Sequence, residues 1–176
     1  NPGQVFLSQN RSANPGVTVH GVAAAVTLEG SRPLLVEIQG LACYSPFPQP
    51  RRLATGLDYN RMAICLAVLE KKGGIRLSGQ DVYVNVSGGI RLNDTGCDLA
   101  ACMAVYSSFK ETALPADTAF IGDVGLTGEL RPVVGMESRI KEAFRNGFRR
   151  IILPAANQKY QAEKDITCAA AASVRE

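Results

Sequence analysis

The sequence predicts an α/β fold built on a mixed sheet, and three observations predict it. Two apolar segments rich in Val, Ala and Leu open the chain, separated by a turn. Three segments with helical spacing then alternate with short strand-like runs. At 176 residues, with 46% hydrophobic and 20% charged residues, the composition is that of one globular domain, which excludes a disordered or low-complexity segment.

In chain order, residues 1–16 are polar and carry Asn1-Pro2-Gly3 and Asn14-Pro15-Gly16, so they read as a linker from an upstream domain. The domain itself is assigned to residues 17–176. Residues 17–28 and 34–41 read as a hairpin around the turn at 29–33. Pro46, Pro48 and Pro50 make residues 44–50 an extended loop, and 51–55 a short edge strand. Residues 58–72 form a helix that Asp58 caps and Lys71 and Lys72 complement at its negative end. Met62, Leu66 and Leu69, widened by Ile64, Cys65 and Val68, bury most of it. Gly73-Gly74 stops it. Residues 81–86 alternate as a strand, and a second helix spans 95–110 with Asp94 or Thr95 as its cap. Residues 119–124 read as a strand, and 125–131 as a tight turn into another short strand. A third helix follows over 137–146, stopped by Gly147. Strands at 149–153 and 166–168 complete the chain.

Composition narrows the function. No apolar run approaches the ~20 residues that cross a bilayer, and the polar opening leads us to expect no secretory leader. The lack of an initiator Met and the alanine-rich ending lead us to expect a piece of a longer protein. Cys43, Cys65, Cys97, Cys102 and Cys168 are odd in number, contain no CxxC pair and have only His20 as a companion. Buried thiols in a reducing compartment fit better than a zinc site, so no metal is assigned. No Walker A loop, GxSxG or HExxH occurs. Gly122, Gly125 and Gly128 precede a strand and Arg131-Pro132, which marks a hairpin and not a dinucleotide site. The net charge is +3, concentrated as +4 over residues 51–76 and +3 over 132–150, with −3 over 91–131.

The order of five motifs is more specific. They are residues 28–39 (LEGSRPLLVEIQ), Arg51-Arg52 with 55–61 (TGLDYNR), 67–71 (AVLEK), 81–89 (DVYVNVSGG) and 123–131 (DVGLTGELR). Together they resemble the C-terminal domain of the RadA (Sms) family of bacterial DNA repair proteins, a domain similar to the proteolytic domain of Lon. The resemblance implies a Lon-type fold. It also implies a longer protein that carries a zinc finger and a RecA-like ATPase, with ATP, magnesium and zinc held outside this chain. It implies a hexameric ring, contact with duplex DNA during processing of branched recombination intermediates, and a RecA-type recombinase as a possible partner. Its location would be the bacterial cytoplasm, or an organelle if the source is a plant.

Lon-type peptidases use a serine–lysine dyad, in which a desolvated lysine activates the serine. On that pattern the serine position is Gly96 and the lysine position is Glu137. Glycine offers no nucleophile and glutamate no neutral amine, so this piece is expected to be non-proteolytic. The rival is a peptidase with an unconventional nucleophile, Cys97 or Thr95. A helix turns Cys97 about 100° from the serine position, and no activating base lies in its motif. The remaining expectation is DNA binding, ring assembly, or a scaffold without DNA contact.

For DNA, Arg91 and Arg131 are the leading candidates, since each follows a glycine-containing motif within an otherwise acidic stretch. The alternative for Arg131 is an ion pair with Glu129 or Asp123. Lys71, Arg76 and Lys110 form a second tier, with Lys72 and Arg149-Arg150. Arg51 and Arg52 would line the ring interface or the DNA path. Phe47, in the Pro-rich loop, is a candidate contact element unless that loop folds back over the core. Six Phe, five Tyr and no Trp argue against base stacking and for backbone contacts.

Overall fold

A computed structural model describes residues 19–160 and 166–176. The linker assigned to residues 1–16 lies outside the described residues. The hairpin is β1 (Val22–Glu29) and β2 (Arg32–Tyr44), paired antiparallel from Val22↔Gln39 to Glu29↔Arg32. There follow β3 (Arg52–Thr55), α1 (Tyr59–Lys71), β4 (Gln80–Val86) and α2 (Asp98–Lys110). The last part comprises β5 (Thr118–Phe120), β6 (Asp123–Val124), β7 (Leu130–Arg131), α3 (Met136–Arg145), β8 (Arg150–Pro154) and β9 (Thr167–Ala171). Among the described residues, seven strands form one mixed sheet in the order β3-β4-β2-β1-β5-β8-β9. β6 and β7 pair separately.

The alternation of β1 explains the two-sided core. Ala23 and Ala25 join the layer that holds α1 and α2, whereas Ala24 and Val26 join the layer of Met136, Ile140 and Ala143 on α3. Helices therefore cover both faces, as the α/β pattern requires. The approach of α2 to β2 is close at Gly40. A Cβ there would stand 2.8 Å from the Ala104 carbonyl carbon and the Val105 nitrogen. Ser107 and Ser108 fasten the same contact, because their hydroxyls accept from the Gly21 and Ala42 amides at 2.8 and 3.0 Å.

Most boundaries fall where the sequence puts them, and the differences have local causes. Residues 119–124 are not one strand. After Ile121, whose amide still donates to the Ile152 carbonyl at 2.9 Å, the backbone leaves the sheet, as Gly122 donates to the Gly96 carbonyl at 2.9 Å and its own carbonyl accepts from Leu99 at 3.1 Å. β2 runs three residues past Leu41 because β4 pairs with it as far as Tyr44↔Gln80. His20 precedes β1 and is exposed, outside the strand expected to hold it. The second helix begins with a 3₁₀ turn over Thr95–Cys97, and a 3₁₀ segment over Ala155–Tyr160 follows β8. β9 extends to Ala171, paired parallel with β8. All five cysteines are free thiols. Among the described residues no helix is long and apolar enough to cross a membrane, and no group of side chains is arranged to hold a metal ion.

Candidate functional site

The N-terminal end of α2 is where the chemistry-bearing residues gather. Asp94 caps the turn before α2, its Oδ1 accepting from the Gly96 amide at 2.9 Å. Its Oδ2 accepts from the Leu28 amide at 3.1 Å and from Arg139 Nη1 at 2.5 Å. Arg139 is fully buried. Nη1 also donates to the Val26 carbonyl at 2.7 Å, and Nε to the Val134 carbonyl at 3.0 Å. Among the described residues its Nη2 is buried without a hydrogen-bond partner. Burial pushes the Asp94 carboxyl up, but the Arg139 guanidinium and the Gly96 and Leu28 amides outweigh this and leave it below the usual range.

Gly96 lies directly under this guanidinium. A Cβ at position 96 would stand 2.7 Å from Arg139 Nη1 and 2.7 Å from Val133 Cγ1. The volume a seryl side chain would need is therefore occupied. Glu137 is exposed on the first turn of α3, paired with Lys141 at 3.0 Å. Burial pushes the Cys97 thiol up to about 12, so it is not a thiolate at neutral pH. Thr95 is exposed and donates from Oγ1 to Asp123 at 3.1 Å.

A second ionic network ties three elements together. Arg61, in the first turn of α1, bonds Asp98 on α2 and lies 3.2 Å from Asp123 Oδ1 on β6. Asp98 Oδ2 also accepts from the Val124 amide at 3.3 Å. Desolvation of the Asp98 carboxyl exceeds the attraction of Arg61 and pushes it up to about 6. A carboxyl whose folded pKa lies above its unfolded value of about 3.9 contributes stability that is complete below that value and lost as pH rises through about 6. Carboxyl-carbon NMR is expected to show Asp98 titrating near pH 6. Asp98→Asn is expected to flatten the fall of urea-unfolding stability between about pH 4 and 6. A midpoint below 4.5 would contradict this.

The loops bearing Arg91 and Arg131 converge on this end of the sheet. Leu92 donates to the Gly56 carbonyl at 2.7 Å and bridges Leu57, which fixes Arg91 beside the start of α1. Arg91 is exposed and makes no hydrogen bond or ion pair among the described residues. Arg131 pairs opposite Asp123 in the β6–β7 ladder and donates from Nε to Glu129 at 3.1 Å, the ion pair anticipated as its alternative. Lys71 and Lys110 end α1 and α2, about 20 Å along each helix axis from its start. Arg76 is exposed in the loop after α1. Arg51 lies 4.7 Å above the ring of exposed Phe47, while half-buried Arg52 donates to the Leu77 carbonyl at 3.0 Å.

Sequence reasoning missed Arg139 and the Arg61–Asp98 pair. The signal for Arg139 was present: it falls on the stripe of Met136, Ile140 and Ala143, and with Glu142 it is one of two charged residues that α3 buries. An arginine there requires a buried acceptor.

Fold and site together define a mixed α/β domain in which a buried arginine fills the space beside the start of α2. The chain belongs to the family described as subunit ChlI of Mg-chelatase, whose model matches residues 60–157. It is similar to proteins named DNA repair protein RadA. That of Salmonella typhimurium is 49% identical over 157 residues, 89% of this chain and 33% of the relative. That of Bacillus subtilis is 45% identical over the same shares, and that of Listeria monocytogenes 40% identical over 94% of this chain and 35% of the relative. The chain thus spans about a third of the length of the curated relatives it matches.

Proposed function

We propose that this chain is a Lon-like, non-proteolytic domain of a RadA-type DNA repair protein that contacts the backbone of duplex DNA and supports ring assembly. The reading is carried by 40–49% identity to RadA proteins across about nine-tenths of the chain. The absence of room for a side chain at position 96, and the buried, neutral Cys97, support the loss of peptidase chemistry. In the longer protein an ATPase would supply ATP hydrolysis with magnesium, a zinc finger would bind zinc, and six copies would close the ring. A RecA-type recombinase would act beside it.

Arg91 and Arg131 are the phosphate contacts we assign. Each phosphate neutralised releases counterions, so affinity falls with salt in proportion to the number of contacts. A 20-base-pair duplex followed by anisotropy from 50 to 200 mM salt tests this. The double variant Arg91→Ala/Arg131→Ala is expected to bind more weakly and to lower the log–log salt slope by about 2. Binding equal to wild type would remove these two residues from the interface. A scaffold without DNA contact is favoured by one observation, the existing pairing of Arg131 with Glu129. Light scattering with and without duplex separates the two, since the scaffold alone would assemble but ignore DNA.

A further inference from the structure

The hairpin between β6 and β7 ends in an apolar residue that the fold does not use. Leu126 is 69% exposed at the tip of the turn Gly125-Leu126-Thr127-Gly128. Turn tips are ordinarily filled by Gly, Asn, Asp or Ser, which solvate well and adopt turn geometry. Nothing about the turn requires a leucine, because the glycines carry it. Gly128 donates to the Gly125 carbonyl at 3.0 Å and has a φ of +85°.

The tip is also held stiffly. The Glu129 carboxylate folds back to accept from the Thr127 amide at 3.1 Å and from the Thr127 hydroxyl. The C-terminal segment clamps the other side, with Leu130 donating to the Ala172 carbonyl at 3.0 Å and Val174 to the Gly128 carbonyl at 2.8 Å. Lys72 and Arg175 are the cations on the clamped side of the hairpin, beside a Glu176 carboxylate that accepts from the Ala172 amide at 3.0 Å. The Lys72 stem lies against Gly128, where a Cβ would meet its Cγ at 2.9 Å, and exposed Arg175 follows Val174. The Glu129 carboxylate is engaged by Thr127 and Arg131.

We infer that this hairpin is a wedge, in which Leu126 inserts between stacked bases of duplex DNA while Lys72 and Arg175 hold the flanking phosphates. This rests on the DNA reading above and adds to it a mode of engagement. An apolar side chain that enters a base step must be stiff enough to unstack it without itself giving way, and must be flanked by positive charge. The tip has both properties. A lysine and an arginine beside a stiff, exposed leucine fit an anionic, stackable partner better than an apolar protein face.

The test uses a 12-base-pair duplex with 2-aminopurine at two central TA steps, the steps that unstack most readily. The wild-type chain is expected to raise 2-aminopurine fluorescence on binding. Leu126→Ser is expected to abolish that rise and to weaken binding about tenfold, while Leu126→Met retains both. Lys72→Gln, which keeps the stem over Gly128, is expected to weaken binding and reduce its salt dependence without abolishing the fluorescence rise. Wild type and Leu126→Ser binding alike with equal fluorescence would overturn the wedge and leave the DNA reading standing. No binding by wild type at 50 mM salt would overturn the DNA reading and the wedge with it.

Discussion

Replacing Arg139 by methionine is expected to remove about 3–5 kcal/mol of folding stability, the cost typical of breaking a buried ion pair from one side. The guanidinium is fully buried and is shared by the Asp94 carboxylate and the Val26 and Val134 carbonyls. Methionine fills much of the volume but satisfies none of these acceptors, and Asp94 would keep a half-buried charge without its partner. Against a domain stability of about 5–15 kcal/mol the loss is large. Urea unfolding at pH 7 measures it, and a loss under about 1 kcal/mol would show that water replaces the arginine. Adding Asp94→Asn is expected to recover part of the loss, since it removes the stranded charge. The pH dependence has a definite sign. The Asp94 carboxyl sits below its ordinary value, so its contribution is present above about pH 3.9 and disappears as pH falls through the folded value. The gap between wild type and the methionine variant should therefore narrow only below about pH 4.

The second large effect is expected on placing a serine and a lysine at the two positions we propose to correspond to a Lon-type dyad. Gly96→Ser with Glu137→Lys is expected to give no peptidase activity and to cost about 2–4 kcal/mol of stability. The new Cβ would meet Arg139 Nη1 and Val133 Cγ1 at 2.7 Å, and neither neighbour is free to withdraw. Val133 is held at both its amide and carbonyl by Asn157, at 2.9 and 3.3 Å, and Arg139 by the carbonyls named above. Glu137→Lys alone should matter little. It loses an exposed pair with Lys141, a contact worth a few tenths of a kcal/mol. Cleavage of a fluorogenic peptide and of casein, with unfolding of the same samples, checks both halves. Serine-dependent cleavage by the rebuilt variant would mean that Arg139 yields its place, and that the peptidase site is masked but intact.

Much of the architecture was legible residue by residue. Asp58 caps α1 through the Asn60 amide at 3.3 Å, and the apolar stripe from Met62 to Leu69 is buried as its spacing requires. The turn at Gly30-Ser31 and the Pro-rich loop after β2 also fall where their residues put them. The failures share a cause. The strand expected over 119–124 divides because Gly122 finds its partners on Gly96 and Leu99, more than twenty residues earlier. The end of β2 is set by β4, and the end of β9 by β8.

The site divides in the same way. By itself the sequence determined the α/β class, the order of the helices and the cap of the first, and the absence of a serine at position 96 and a lysine at 137, because these are written in spacing and identity along the chain. Only the tertiary structure decided what stands beside these positions. Arg139 meets Val26 across 113 residues of chain and Asp94 across 45, and Arg61 meets Asp98 across 37. Periodicity reports which face of a segment is buried, but not which distant group receives a charge placed there. A buried guanidinium is stable only where its acceptors already converge, and that convergence exists only once the sheet and α3 have packed.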